Sequence, residues 1–321
     1  MRRVALVAGV VALAGCGEEQ STLRPEGDAA RSVATMWWVL LIGSAVVVGV
    51  VTLLVLATLL KRRGRLDRVE RRGGGTTFAL VSGAVIPAVV LVALFVYVLS
   101  SLDATAQPKG RGDVNVEIVG KQWWWAVRYP DQSIETANEI HIPVGVPVRV
   151  TARTADVIHS FWVPRLNRKI DMIPGRRNAI VLKADRPGVY RGQCTEFCGL
   201  QHANMAFYVI AQPLGRWQRW VARERRSAAP DGGAGERVFM SVGCSGCHTI
   251  RGTDARGDVG PDLTHLASRR TIAAGTVPNA RGWLGGWILD PQHIKPGNKM
   301  PGLPLRGRQL QALLDYLEAL E

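Results

Sequence analysis

Cysteine and histidine are both scarce in this chain, with five cysteines and six histidines among 321 residues. Four of the cysteines belong to two short motifs, within residues 194–205 and 244–248, and the fifth is Cys16. No cysteine is therefore left over for a structural disulfide between distant segments. This excludes a disulfide framework and makes the thiols candidates for metal and cofactor chemistry.

Acidic residues are few relative to basic ones, 26 against 40, which gives a formal net charge of +14. A strongly basic protein can bind nucleic acid. Part of this charge, however, lies beside long apolar runs, where basic residues set membrane topology. We therefore expect no nucleic-acid partner.

The N-terminus has the pattern of an export signal. Arg2 and Arg3 precede an apolar run at residues 4–14, which is too short to span a bilayer but suits a signal peptide. The run ends in Leu-Ala-Gly-Cys, which resembles a bacterial lipobox with Cys16 as the lipidated first residue of the mature chain. The alternative is an ordinary signal peptide with an incidental cysteine. We predict a lipoprotein signal peptide over 1–15 and an exposed polar tether over 16–35.

Two apolar runs without a charge follow, at residues 36–60 and 78–99. At ~1.5 Å per residue, each is long enough for a hydrocarbon core ~30 Å thick. Residues 61–72, between the runs, carry seven basic and two acidic side chains, a surplus typical of the cytoplasmic side. We predict a transmembrane hairpin over 36–107, with both ends on the outer (periplasmic or extracytoplasmic) side of a bacterial cell membrane. Two buried helices of a soluble core are the alternative.

Residues 108–225 contain short, strand-like runs separated by turn signals, which predicts an all-β sandwich. With the motif described next, the favoured architecture is a cupredoxin-like Greek key whose ligands lie on loops at one end. The candidate strands are 114–119, 123–129, 139–142, 146–151 and 179–182.

The densest cluster of candidate ligands is Cys-Thr-Glu-Phe-Cys-Gly-Leu-Gln-His-Ala-Asn-Met, which begins at Cys194. Sulfur ligands together with imidazole select Cu(I), zinc or iron–sulfur centres. Cys194, Cys198 and His202 are spaced four apart, so a compact loop can direct all three at one point, with Met205 as a weak ligand. Two thiolates can bridge two coppers, and His159 is the candidate for the second imidazole. A structural zinc site and a disulfide within the loop are the alternatives, but neither explains Met205.

The pattern Cys-x-Glu-x-Cys-Gly-x-x-His-x-x-Met, with His-Ser-Phe upstream, resembles the dinuclear CuA site of cytochrome c oxidase subunit II. The resemblance covers roughly residues 30–225. It implies a magnesium ion at the boundary with subunit I, bound by the side chain of Glu196 and, with less support, by Asp171. The copper ligands that it implies are His159, Cys194, the backbone carbonyl of Glu196, Cys198, His202 and Met205.

Two further residues take candidate roles beside this site. Trp123, in Gly-Lys-Gln-Trp-Trp-Trp, matches the family tryptophan at which electrons reach the copper centre; the alternative is that all three tryptophans pack in a core. Asp156, three residues before His159, is a candidate partner for that imidazole ring. A loop or helix-capping role is the alternative for Asp156.

The C-terminal part of the chain predicts a linker over 226–234 and a small all-α cytochrome c domain over 235–321. In Cys-Ser-Gly-Cys-His, Cys244 and Cys247 are spaced to bind two haem vinyl groups, and His248 follows as the axial ligand. Zinc or redox use of such a motif is the alternative.

Met300 is the candidate second axial ligand of the haem, as in the small class I cytochromes c that this domain resembles. A Met/His ligand pair raises the reduction potential. His265 and His293 are the competitors, and both are expected on a polar surface. The leucines of residues 306–320 recur at helical spacing, and this helix is expected to pack across Gly235 and Phe239.

The chain as a whole resembles subunit II of a bacterial cytochrome c oxidase with a fused class I cytochrome c domain. The resemblance implies that a cytochrome c, or a quinol:cytochrome c reductase complex, reduces the haem c. Electrons then pass to CuA and on to subunit I, which reduces dioxygen to water and pumps protons. Subunit III is a further expected partner. The dioxygen site lies in subunit I, so this chain is an enzyme subunit and not an enzyme alone.

Three other protein classes share parts of this pattern. A nitrous oxide reductase relative uses CuA, but would lack the helical hairpin and Glu196. A quinol oxidase subunit II shares the fold and lipobox, but resembling members lack the copper thiols and the haem. A copper-carrying assembly lipoprotein has no need of a covalent haem.

Overall fold

The computed structural model describes residues 18–60, 74–106, 112–228 and 232–321. The predicted signal peptide, Cys16 and the basic run at 61–72 lie outside these ranges. The chain divides into two compact units, one of residues 31–107 and the other of residues 1–30 together with 108–321.

Two long helices form the N-terminal part. Helix α1 spans Asp28–Leu60. The second consists of α2 (Gly74–Leu80), a π-helical turn (Val81–Val85) and α3 (Ile86–Ala106). The π turn ends just before Pro87, which has no N–H for the regular helical bond. Both helices are long and apolar enough to cross a membrane.

Helix α1 begins earlier than predicted, and the described part of the expected tether, residues 18–35, is not an exposed tether. Asp28 lies in the first turn of α1, where a carboxylate favours the helix dipole. The backbone N–H of Glu26 donates to the carbonyl of Arg165 at 2.7 Å. An added Cβ at Gly27 would lie 2.6 Å from the carbonyl oxygen of Leu166. The segment before the helix therefore packs against residues 165 and 166, and the polar composition did not show it.

Residues 114–212 form a sandwich of two five-stranded sheets. The strands are β1 (Val114–Lys121), β2 (Trp124–Tyr129), β3 (Ile134–Ala137), β4 (Glu139–Pro143), β5 (Val148–Thr154), β6 (His159–Trp162), β7 (Ile170–Met172), β8 (Asn178–Leu182), β9 (Gly188–Cys194) and β10 (Ala206–Gln212). The first sheet has the order β3-β2-β1-β5-β8, and the second has the order β4-β10-β9-β6-β7.

Alternating side chains of these strands build the core. In β1, Val114, Val116 and Ile118 are buried while the residues between them are partly exposed, as expected for a strand with one face on the core. Phe161 of β6 and Phe207 of β10 stack with ring centroids 4.7 Å apart. The β-sandwich prediction is confirmed.

A helix not specified by the sequence prediction, α4 (Leu214–Glu224), follows the last strand. Its Trp217 and Trp220 are buried, and Trp220 stacks on His141 with centroids 4.3 Å apart. His141 is therefore a packing partner of this helix.

The cytochrome domain contains α5 (Ala234–Ser241), a short hairpin of β11 (Thr271–Ile272) and β12 (Val277–Pro278), α6 (Arg281–Leu289), α7 (Pro291–Ile294) and α8 (Gly307–Glu318). As predicted, α8 crosses α5 closely. An added Cβ at Gly235 would lie 2.3 Å from the Cβ of Tyr316, and the rings of Phe239 and Tyr316 are 5.9 Å apart. Glycine permits this contact, and the apolar face of α8 closes the core.

Candidate metal centre and haem pocket

Five of the six predicted copper ligands lie on the loop between β9 and β10 or at its ends. Cys194 ends β9 and Met205 directly precedes β10, and the N–H of Cys194 donates to the carbonyl of Met205 at 3.0 Å. The base of the loop is thus closed by a backbone hydrogen bond. Within the loop, a 3₁₀ turn (His202–Asn204) carries the imidazole. The loop is therefore supported at both ends by rigid strands, which suits a site that must hold its geometry.

The structure brings the four loop side chains together. The Sγ atoms of Cys194 and Cys198 are 3.8 Å apart and are not joined. The Nδ1 of His202 lies 3.6 Å from the Sγ of Cys198. The Sδ of Met205 is 3.8 Å from the same sulfur, and the carbonyl oxygen of Glu196 is 3.3 Å from the Sγ of Cys194.

His159 comes from the neighbouring strand. Its strand β6 pairs with β9, with Phe161 opposite Cys194, and this register places the Nδ1 of His159 3.8 Å from the Sγ of Cys194. The ring is fully buried. Gly120 makes room for it, because a Cβ there would lie 2.8 Å from the Cδ2 of His159. Each thiol thus has its own imidazole.

Asp156 orients the His159 ring. Its Oδ1 lies 2.8 Å from the Nε2 of His159, which leaves Nδ1 facing the thiols. Burial alone would raise the pKa of Asp156. Hydrogen bonds from His159 and from the amides of Gln122 and Val157 outweigh burial and lower that pKa. The ionised carboxylate is therefore a stable acceptor for the ring N–H, a partnership common among metal-bound histidines.

The thiol pair is electrostatically prepared to carry negative charge. A hydrogen bond from Cys198 lowers the pKa of Cys194 to about 3, and His159 acts in the same direction. The same contact raises the pKa of Cys198, because two adjacent thiolates without a cation repel each other. A bound metal ion would relieve this repulsion, and thiolate is the form that binds metal.

The donor set fits a dinuclear copper site. Two thiols and two imidazoles alone would also satisfy tetrahedral zinc. The thioether of Met205 and the carbonyl of Glu196 bring the donors to six, more than one zinc ion uses, and a distant Met beside Cys and His is typical of copper. Cys194, Cys198 and Met205 are all nearly inaccessible to solvent.

The two carboxylates predicted at the magnesium site face one ammonium group. The Nζ of Lys169 lies 3.4 Å from the Oδ1 of Asp171 and 3.4 Å from the Oε2 of Glu196. Desolvation alone would lower the pKa of Lys169, but the two carboxylates together outweigh it and raise that pKa. The structure therefore places Glu196 and Asp171 on a shared, half-exposed face.

The cytochrome domain contains an apolar cavity lined by Cys244, Cys247, His248 and Met300. The Nδ1 of His248 lies 2.8 Å from the carbonyl oxygen of Pro261, so Nε2 is left to bind iron. Burial lowers the pKa of His248, which favours the neutral imidazole that ligates metals. Gly260 lets the chain approach this ring, since a Cβ would lie 2.5 Å from its Cε1. These residues fit a covalent haem.

His265 and His293 were the alternatives to Met300 as the second axial ligand, and one of them does not lie where it was predicted. His293 is exposed, as expected. The prediction of a surface position for His265 is wrong, because this residue is 3% exposed and its Nε2 lies 3.1 Å from the carbonyl oxygen of Arg226. It satisfies a buried backbone group from the segment before the cytochrome domain. Neither histidine lines the haem cavity as the structure describes it.

The wall of the haem cavity includes residues of the copper domain. Their position in this wall was not predicted from the sequence. Gln122 and Trp123 line it. The indole Nε1 of Trp123 donates to the carbonyl of Cys198 at 2.9 Å, and the side-chain amide of Gln122 donates to the same oxygen at 2.8 Å. Trp123 therefore touches both the cavity and the copper loop. No sequence signal places Trp123 beside the haem cavity, since it lies more than a hundred positions before Cys244.

The fold and these sites define a class of protein: a membrane-anchored electron-transfer subunit of a haem-copper terminal oxidase. The chain belongs to the cytochrome c oxidase subunit 2 family, as comparison with known proteins shows. It is 34% identical over 329 residues to the cytochrome c oxidase subunit 2 of Alkalihalophilus pseudofirmus, covering 96% of this chain and 94% of that one. The same protein of Bacillus subtilis is 30% identical with the same coverage.

Two family models match separate parts of the chain, in agreement with the two domains of the structure. The profile for the periplasmic domain of cytochrome c oxidase subunit II matches residues 131–212, and the cytochrome c profile matches residues 233–321. These two families imply CuA and haem c, and the family implies subunit I as a partner. A crystal structure of the periplasmic domain of subunit II of the cytochrome oxidase of Bradyrhizobium japonicum is 34% identical, with a TM-score of 0.35, over 36% of this chain and 96% of that one.

Proposed function

We propose that this subunit relays single electrons from its cytochrome domain to its copper domain and from there to subunit I. The observation that carries the proposal is Trp123, which lines the haem cavity and hydrogen-bonds through its indole to the carbonyl of Cys198. Bound haem and copper supply the one-electron redox chemistry. The chain's own residues hold the two sites, keep water out of the copper loop and place the indole between them.

Individual residues take defined parts in this relay. Cys244 and Cys247 would attach the haem, with His248 and Met300 as its axial ligands. His159, Cys194, Cys198, His202, Met205 and the Glu196 carbonyl would hold the copper pair. The bond from Trp123 to Cys198 joins the cavity wall to a copper ligand in one step.

Substituting Trp123 tests the relay. Trp123→Phe keeps an aromatic ring but removes the N–H that donates to Cys198, so electron transfer from haem to copper is expected to slow several-fold. Rapid mixing of the oxidised full-length protein with a small reductant that reduces the haem, followed at the haem α-band and the near-infrared copper band, measures this rate. The matched control is Trp283→Phe, at an exposed tryptophan of α6, which is expected to transfer at the wild-type rate. Wild-type protein with both metals bound but no transfer would overturn the proposed function.

We further propose the electron donor and the partners implied by this role. A cytochrome c or a quinol:cytochrome c reductase complex would reduce the cytochrome domain. Subunit I, with its dioxygen chemistry and proton pumping, would take electrons from the copper domain, and subunit III would join the complex. Copurification of these subunits with a tagged version of this chain measures the assembly.

A magnesium ion at the boundary with subunit I is a separate proposal. Glu196 and Asp171 lie within 3.4 Å of the Lys169 ammonium, so the face already holds a cation between two carboxylates. Magnesium favours such oxygen ligands and would take the place of the ammonium. Electron paramagnetic resonance of the assembled oxidase grown with Mn²⁺ tests this: absence of a bound-manganese signal contradicts the site.

A further inference from the structure

One buried lysine of the cytochrome domain, Lys295, lines the haem cavity together with Trp123. Lys295 directly follows α7 and is 2% exposed. Its Nζ donates to three backbone carbonyls, those of Trp123 at 2.7 Å, Asn204 at 2.8 Å and Ala273 at 3.0 Å. An ammonium group has three donors, and here each one has a carbonyl acceptor.

The three acceptors come from three different segments. The carbonyl of Trp123 belongs to the tryptophan that connects the haem cavity to the copper loop. The carbonyl of Asn204 lies one residue before the copper ligand Met205. Ala273 belongs to the cytochrome domain, in the turn between β11 and β12. A single side chain therefore joins both redox sites and the turn.

The ammonium form is the one that this arrangement requires. A neutral amine has only two N–H donors and would leave one buried carbonyl without a partner, which costs free energy. The three acceptors therefore favour the charged state.

The turn between β11 and β12 makes a second, independent connection. The N–H of Ala206, at the start of β10, donates to the carbonyl of Ala274 at 3.0 Å. Ala273 and Ala274 both have positive φ, 53° and 57°. A non-glycine residue in this region is strained and persists only where its surroundings hold it. Here the two carbonyls of the strained pair are the groups that bind Lys295 and the copper domain.

Further contacts surround the two connections. The side-chain amide of Gln201 donates to the carbonyl of Pro296 at 2.7 Å, and the Nζ of Lys121 donates to the carbonyl of Asp258 at 2.8 Å. The backbone N–H of Arg270 donates to the buried carboxylate of Glu139 at 2.6 Å. Buried polar groups satisfied across an interface specify one arrangement, because any other leaves them unpaired.

We propose that Lys295 is a positioning residue for electron transfer, which together with the turn at residues 273–275 locks the cytochrome domain onto the copper loop. Relay then occurs in one fixed arrangement and not from a domain that swings on its linker. The inference rests on the proposed relay function but concerns a separate property, the docking of the two domains.

The experiment compares the full-length, metal-loaded protein in detergent with two pairs of variants. Lys295→Met keeps the length of the side chain and removes the ammonium. Its control, Arg308→Met, removes one positive charge from an exposed position of the same domain. Gly275→Ala adds a Cβ 3.0 Å from the Cβ of Ala206, and its control, Gly232→Ala, has a similar positive φ but open space around it. The glycine pair leaves Lys295 in place.

Hydrogen exchange provides a readout that does not depend on activity. In the wild type, the amide of Ala206 and those of residues 271–276 are expected to be protected. Lys295→Met and Gly275→Ala should each accelerate their exchange about tenfold or more, since an unsatisfied buried carbonyl and a steric clash each favour local opening. Neither control should do so. Intact haem and copper absorption bands show that the variants are folded.

Kinetics separate positioning from general damage. In Lys295→Met, reduction of the haem by a small external reductant should keep its wild-type rate, while transfer from haem to copper falls. Unchanged exchange and unchanged transfer in both Lys295→Met and Gly275→Ala would overturn the lock. A wild-type protein that shows interdomain protection but no transfer would instead overturn the relay and leave the docking standing.

Discussion

At the residue scale, the copper site depends on one contact outside its ligands. Asp156 accepts the Nε2–H of His159 and holds the ring so that Nδ1 faces Cys194. The ring is buried and has no water to replace this acceptor. The orientation of the ligand is therefore determined by a loop carboxylate three residues away, as the sequence spacing had suggested.

Asp156→Asn is expected to weaken copper binding. An amide is a poorer acceptor than a carboxylate, and loss of such a partner typically lowers metal affinity about 10–100-fold. Copper titration of the metal-free protein, followed at the near-infrared band, measures the change. Asp131→Asn, at an exposed acid in the same domain, should bind copper as the wild type does. Equal affinities in the two variants would show that the ring is held by packing alone.

The roles of single residues could be predicted from the sequence where the residues of a site are close together in the chain. Four-residue steps place Cys194, Cys198 and His202 on one loop, and the structure brings all three together. His265 was wrongly predicted to lie on a polar surface. It is buried, and its ring contacts the backbone carbonyl of Arg226, a residue of a different segment that the local sequence does not reveal. Lys295 carried no signal, since only the contact between domains surrounds it with acceptors.

At the scale of elements, β6 and β9, which carry ligands, are among the strands that were not predicted. The alternation at the start of β1 is regular, and that strand was predicted. β6 is only four residues long, and β9 has Arg191 and Gln193 between its buried positions, one of which is Gly192. Neither has the apolar content of an ordinary strand, because each uses its positions to present His159 and Cys194 to metal. In these two strands the residue types are determined by the geometry of the metal site and not by intrinsic strand propensity.

The contact between α5 and α8 was predicted, and it requires a residue without a side chain at Gly235. Gly235→Ala would place a Cβ 2.2 Å from the carbonyl oxygen of Ala312, so the helices have to separate. We expect a loss of about 1–3 kcal/mol in the free energy of unfolding of the cytochrome domain. Denaturant unfolding, monitored at the haem band, measures it.

Gly307→Ala is the matched control, because Gly307 opens α8 with nothing within 4 Å of an added Cβ. It should leave stability unchanged or raise it slightly, since alanine restricts the unfolded chain more than glycine does. A Gly235→Ala variant as stable as Gly307→Ala would contradict the close crossing.

At the scale of the whole molecule, charge and hydropathy determine how the chain meets the membrane. Two helices are long and apolar enough to span it, and the seven basic residues of 61–72 lie between them. Because basic loops stay on the cytoplasmic side, both large domains are expected on the outer side.

Protease protection tests this sidedness. With an epitope tag after Glu321, protease added to spheroplasts should remove the tag, whereas inverted vesicles should protect it until detergent is added. Protection in spheroplasts and cleavage in inverted vesicles would contradict the proposed topology.

The sequence by itself determined the chemistry and the order of the domains. Ligand types at fixed short spacings define the copper loop and the haem motif, and long apolar runs define the anchor, because these signals are local. The tertiary structure decided what depends on distant segments meeting. Trp123 enters the wall of the haem cavity, and Lys295 is buried among three carbonyls, only when the two domains pack together. Such contacts join residues far apart in the chain, and no periodicity or spacing records them.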